Sequence, residues 1–223
     1  MKIKKIIISI LTVLPLLTCI IALPFLPNKV PLHFDVNMQV DKWGSKYELL
    51  LISIIAILTV PLMKFASKRA TRQENGGNNN EKVVSISTIA LLVVLNVLNG
   101  LSIFLAVKSA GEAPLNVGYL LNIIMGVLGL VFIILGNFMP KTKPNTVVGM
   151  RFLWLKNNLT AWKKTQRFSG ILSIILGFIL IILSIFTKGK LCAILSLGVI
   201  LAFIIIITVY SIVISKKYKK ADL

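Results

Sequence analysis

Six apolar runs, at about positions 6–26, 47–63, 83–107, 118–138, 168–187 and 191–214, take up most of the 223-residue sequence. At ~1.5 Å rise per residue, each is long enough as a helix to cross a hydrocarbon core of about 30 Å. A composition of 57% hydrophobic and 14% charged residues is not that of a water-soluble domain,. The expected fold is all-α: a polytopic membrane protein built as a six-transmembrane-helix bundle, with no separate soluble domain.

The formal net charge of +18 would suggest nucleic acid in a polar protein, but here the basic residues sit in short clusters between the apolar runs,. Anionic lipid headgroups are the better counter-charge, and no nucleic-acid partner is expected. With the N-terminus inside, the inner segments hold 19 of the 25 Lys and Arg residues. The outer segments hold only Lys29, Lys42, Lys46, Lys108, Lys188 and Lys190. The positive-inside rule therefore predicts both termini in the cytoplasm and a multi-pass protein of the cell membrane. The first run follows Lys2, Lys4 and Lys5 but is too long for a usual signal-peptide core and lacks a small-residue cleavage site, so it reads as an anchor,. Cys19 and Cys192 lie within apolar runs and imply neither a disulfide nor a metal site,.

The pattern divides the chain into a two-helix hairpin (1–66) with an outer loop at 27–46, a flexible Gly/Asn-rich inner linker (67–82), and a four-helix membrane domain (83–223) with an inner loop at 139–167,. No Asp, Glu, Lys, Arg or His stands at mid-depth in any run, which argues against ion- or proton-coupled pumping,. Asn96, Asn99 and Asn122 are the strong mid-membrane hydrogen-bonders and read as interhelical glue. Their alternative reading is the polar path of a small-molecule transporter,. Gly170, Ser173, Gly177 and Ser184 form a small-residue packing face in the fifth run,. Hydrolase, zinc-protease and phosphate-loop motifs are missing, so no catalytic residue, cofactor or metal is assigned,.

In the outer loop, Pro27 and Pro31 favour extended backbone, Trp43 suits a membrane interface, and His33, Asp35 and Asp41 could meet as a polar cluster,. In the inner loop, Pro140 and Pro144 end the fourth helix,. Asn158 then caps a new helix in which Leu159 and Trp162 share one face while Lys163, Lys164 and Arg167 point to headgroups, resting at the interface before the fifth span,.

The inner run Gly136-Asn137-Phe138-Met139-Pro140-Lys141-Thr142-Lys143-Pro144-Asn145, followed by Gly149, Arg151, Trp154, Trp162, Thr165, Arg167 and Gly170, resembles the signature of the SdpI family of bacterial membrane proteins. The outer residues Pro27, Pro31, His33, Phe34, Asp41, Trp43, Gly44, Ser45 and Lys46 resemble the N-terminal domain of unknown function that often precedes it. Leu153, Leu155 and Gln166 depart from the usual Pro, Thr and His, as do Met38 and Val40 from Gly and Pro. The resemblance implies immunity to a secreted peptide toxin, with a receptor role in which a cytoplasmic repressor is held at the membrane. It places toxin contact on the outer loop at Pro31, His33, Phe34, Asp41 and Trp43. Repressor docking falls on Asn137, Pro140, Lys141, Lys143, Pro144, Asn145, Gly149, Arg151, Trp154, Trp162 and Arg167.

Overall fold

The computed structural model describes residues 2–35, 39–72, 78–109, 118–155 and 158–219. Among these, the apolar runs form six long helices: α1 Lys2–Ala22, α2 Leu50–Arg72, α3 Asn79–Lys108, α4 Gly118–Phe138, α5 Leu159–Phe186 and α6 Gly189–Lys219. Each is long and apolar enough to cross a membrane. Successive helices run in alternating directions, so α1 begins and α6 finishes at one end of the bundle, the terminal end. Ile182, Phe186, Ile205 and Val209 are among many large apolar side chains left exposed, as a lipid-facing surface requires,.

Small residues set the closest contacts inside. The most extensive helix pairing is α4 with α5. Gly129 faces Gly177, and Gly136 faces Gly170, so closely that a Cβ on any of the four would stand 2.5–2.6 Å from the opposite carbonyl oxygen. The same seven-residue spacing on both helices brings both pairs into register, and backbone-to-backbone approach supplies the dispersion contact that holds helices together in lipid. The small-residue face expected on α5 thus finds its partner on α4, with Ser184 beside Gly126.

Asparagines fasten the rest. Asn96 donates to the Leu11 carbonyl of α1 at 2.8 Å, and Asn99 to the Thr18 hydroxyl at 2.9 Å. Asn122 donates to the Ser184 carbonyl and accepts from the Gly189 N–H, tying α4 to the α5–α6 turn. Asn96 and Asn99 both turn to α1 while Asn122 turns to the α5–α6 connection, so the three do not assemble the shared polar path a transporter would need.

The structure departs from expectation in three places. The outer loop, expected only to be extended, is paired: β1 Lys29–Phe34 runs antiparallel to β2 Val40–Ser45, which adds a two-stranded hairpin to the helices among the described residues. Secondly, α2 continues to Arg72 and α3 begins at Asn79, so only 73–78 separate them, of which 73–77 lie outside the described residues. Polar residues carry these helices past the hydrocarbon, with Arg69 and Arg72 in the last turn of α2 complementing its dipole,. Thirdly, no separate interfacial helix precedes the fifth span. α5 is continuous from Leu159, with Trp162 buried and Leu159 exposed, so the two do not share a face.

Candidate functional site

The sequence candidates fall at the two ends of the bundle. At the hairpin end, β1 is seated by Val30, which is fully buried with Cys19, Leu26, Leu49 and Ala106 where α1, α2 and α3 meet. Pro31 is accommodated because a two-stranded sheet is all edge and the register shifts between Pro31 and His33,. Ser45 and Glu48 form a capping box that turns β2 into the helical entry to α2,. Lys46 donates from its ammonium to the Leu26 carbonyl, closing the hairpin base.

On this platform His33 Nδ1 lies 2.6 Å from Asp41 Oδ1, a hydrogen bond in which the imidazole donates and the carboxylate accepts. Asp35 instead accepts from the Gln39 N–H. The expected three-membered polar cluster is therefore a pair, and among the described residues no three His, Cys, Asp or Glu side chains converge. Phe34 packs towards Leu105 and Leu120 and Pro31 is buried, so these two position the hairpin. His33, Asp41 and Trp43 remain exposed, and Met38 lies outside the described residues.

At the terminal end the chain after α4 is an ordered cap rather than a solvated basic loop. Asn145 accepts from the N–H groups of Val147 and Val148 and donates to the carbonyls of Lys143 and Val148, building a tight turn around one buried amide,. Val148 inserts among Ala70, Val83 and Val84 of α2 and α3. Asn80 donates to the Ala70 carbonyl and accepts from the Lys143 N–H, so part of the tract expected to be a bare linker is a buried tie. Gly149 has φ +88°, a conformation few side chains tolerate,. Next to it Gln166 of α5 grips Met150 at both backbone groups, accepting from its N–H at 3.0 Å and donating to its carbonyl at 2.8 Å.

Asn158 caps α5 as expected, accepting from the Ala161 N–H at 2.7 Å. Trp162 lies one turn on, 2% exposed, and donates from its indole to the Thr142 carbonyl. Trp154, in a 3-10 turn over Leu153–Leu155, stacks on Phe152 and donates to the Ser211 hydroxyl of α6. Of the inner candidates, Asn145, Gly149 and Trp162 therefore build the cap and Pro144 is half-buried. Asn137, Pro140, Lys141, Lys143, Arg151 and Arg167 show on its surface. Arg151 donates to the Thr146 carbonyl, and the Lys141 ammonium sits over the Phe138 ring. Positions 139–167 contain no Asp or Glu, so the surface is basic without internal compensation. Asn80, Thr142 and Ser211 carry no local sequence signal of these contacts, and Gln166 stands out in the sequence only as a departure. Their partners lie far along the chain, where no local pattern signals them.

Residues 141–215 match the SdpI/YfhL protein family, and residues 10–57 match a domain of unknown function, DUF1648. The first match takes in most of the cap, α5 and most of α6. The second takes in most of α1, the hairpin and the start of α2. Over 206 residues the chain is 28% identical to Immunity protein SdpI of Bacillus subtilis (strain 168), spanning 91% of this chain and 92% of that protein. No solved structure matches the chain.

Proposed function

We propose that this chain, a multi-pass protein of the cell membrane, is a member of the SdpI/YfhL protein family and an immunity protein guarding its host cell against a secreted peptide toxin. The carrying observation is its likeness, over nearly the whole of both chains, to an immunity protein. The excess of Lys and Arg at the terminal end orients that end to the cytoplasm and turns the hairpin outward, where a secreted toxin arrives,. His33, Asp41 and Trp43 are then the contact residues, held by Pro31 and Phe34 on a platform rooted in three helices. A fixed platform suits recognition because little ordering entropy is lost on binding.

The basic cap would serve the receptor role, docking a repressor protein through Lys141, Lys143, Arg151 and Arg167. Any such signal requires toxin to prefer one helix arrangement over another, since a ligand shifts an equilibrium only by its differential affinity. The division is thus an outward sensing unit at 1–66, the inner connection at 67–82 and a four-helix unit at 83–223 whose cytoplasmic surface reports. Expression in a toxin-sensitive strain tests the main reading. Survival should rise with the intact chain, and no gain at verified membrane levels would refute it.

A further inference from the structure

We propose that residues 151–155 are a re-entrant wedge that places Leu153 and Trp154 in the leaflet at the terminal end, between the headgroups and the upper acyl chains. Depth is fixed by α6. The Trp154 indole donates to the Ser211 hydroxyl at 3.2 Å, and the Trp154 carbonyl accepts from the Ser215 hydroxyl at 2.9 Å. Lys216 and Lys217 follow and mark the water boundary, so at ~1.5 Å per residue Ser211 lies roughly 7 Å further in,. Two ring contacts between α5 and α6 bracket the same level: Phe168 stacks on Tyr210 beneath it, and the Lys164 ammonium sits over the Tyr218 ring above it.

Within the wedge the side chains divide. Leu155 is fully buried with Ala161 and Trp162, and Phe152 packs inward against the same group. Leu153 is 87% exposed and Trp154 42%. A leucine and an indole held outward by hydrogen bonds at this height extend the lipid-facing surface of α6. Tryptophan, with one polar edge satisfied, suits the interface. Arg151, Lys163, Lys164, Lys216 and Lys217 are exposed around the wedge and supply the cationic rim that anionic headgroups attract,. The occupant is therefore lipid. The inference rests on the six membrane spans and not on the immunity reading.

Spin labels at Leu153→Cys, Thr146→Cys and Val209→Cys, in nanodiscs of phosphatidylcholine and phosphatidylglycerol, test the placement by collision with oxygen and with a water-soluble nickel chelate. Both faces of a nanodisc are open, so the result does not depend on orientation. The label at 153 should behave like that at 209, favouring oxygen. Behaviour like that at 146, favouring nickel, would overturn the wedge. Independently, brominated acyl chains should quench less of the total tryptophan fluorescence in Trp154→Phe than in the unaltered chain. An unchanged quenched amount would also overturn it.

Discussion

The Asn96 amide donates across the α1–α3 interface to the carbonyl of Leu11, the residue whose helical donor is missing because Pro15 has no N–H,. In hydrocarbon no water can take that carbonyl, so the side chain of one helix completes the backbone of the other. Asn96→Leu should lower stability by about 1–2 kcal/mol, the upper range for such bonds in membranes. Pro15→Ala restores a backbone donor to Leu11, so in that background Asn96→Leu should cost distinctly less. A double-mutant cycle by thermal unfolding in detergent measures the coupling, and additive effects would break the link.

The α4–α5 pairing gives the second expectation. A methyl at Gly177 would stand 2.5 Å from the Gly129 carbonyl oxygen, so the helices must separate. Gly177→Ala and Gly129→Ala should each destabilise by about 1–3 kcal/mol, the usual range for overpacking. Gly100, on α3, has nothing within 4 Å of the same position. There Ala should be neutral or stabilising by up to ~1 kcal/mol through helix propensity. Unfolding midpoints in mixed micelles would compare them, and equal effects at Gly177 and Gly100 would show that close approach is not what the glycines provide.

Gln166 and Gly149 support the third. Gln166→Leu leaves the N–H and carbonyl of Met150 without their partner, a loss of about 1–3 kcal/mol for a buried group,. Gly149→Ala combines an unfavourable φ with a Cβ 2.6 Å from Gln166 Oε1. Both substitutions should loosen the cap while leaving the six helices formed. Tryptic cleavage after Arg151 should accelerate with the far-ultraviolet circular dichroism unchanged. Unaltered cleavage in both variants would mean that the clamp does not hold the cap.

What sequence reveals here depends on how local the cause is. Lipid demands long uncharged helices, so all six spans are legible, and Asn158 is legible as a cap because its bond to Ala161 reaches only three residues. The hairpin escapes because Pro31 and the irregular register break the alternation that marks a strand, and Val30 is seated by residues from three helices. Leu159 and Trp162 look like one face of an interfacial helix. The outcome is decided by Thr142, which accepts the Trp162 indole and draws that ring inside. Asn80 looks like linker because Lys143, its partner, is 63 residues away.

The hairpin makes the fourth expectation separable from folding. His33, Asp41 and Trp43 are exposed on a platform whose stability resides in buried Val30, so alanine at the first three should leave membrane levels intact. Truncating an aromatic anchor at an interface costs about 2 kcal/mol or more, roughly 30-fold in affinity. Trp43→Ala should therefore shift the toxin dose for half survival upward in sensitivity by a comparable factor, with smaller shifts for His33→Ala and Asp41→Ala. Val30→Ala should instead reduce protein quantity, since a buried contact at the α1–α2–α3 junction is lost. Arg151→Ala and Arg167→Ala, at the far end, should spare survival and affect only a transcriptional response. Full protection by Trp43→Ala, His33→Ala and Asp41→Ala at normal abundance would move toxin contact off the hairpin and onto the lipid-facing helices.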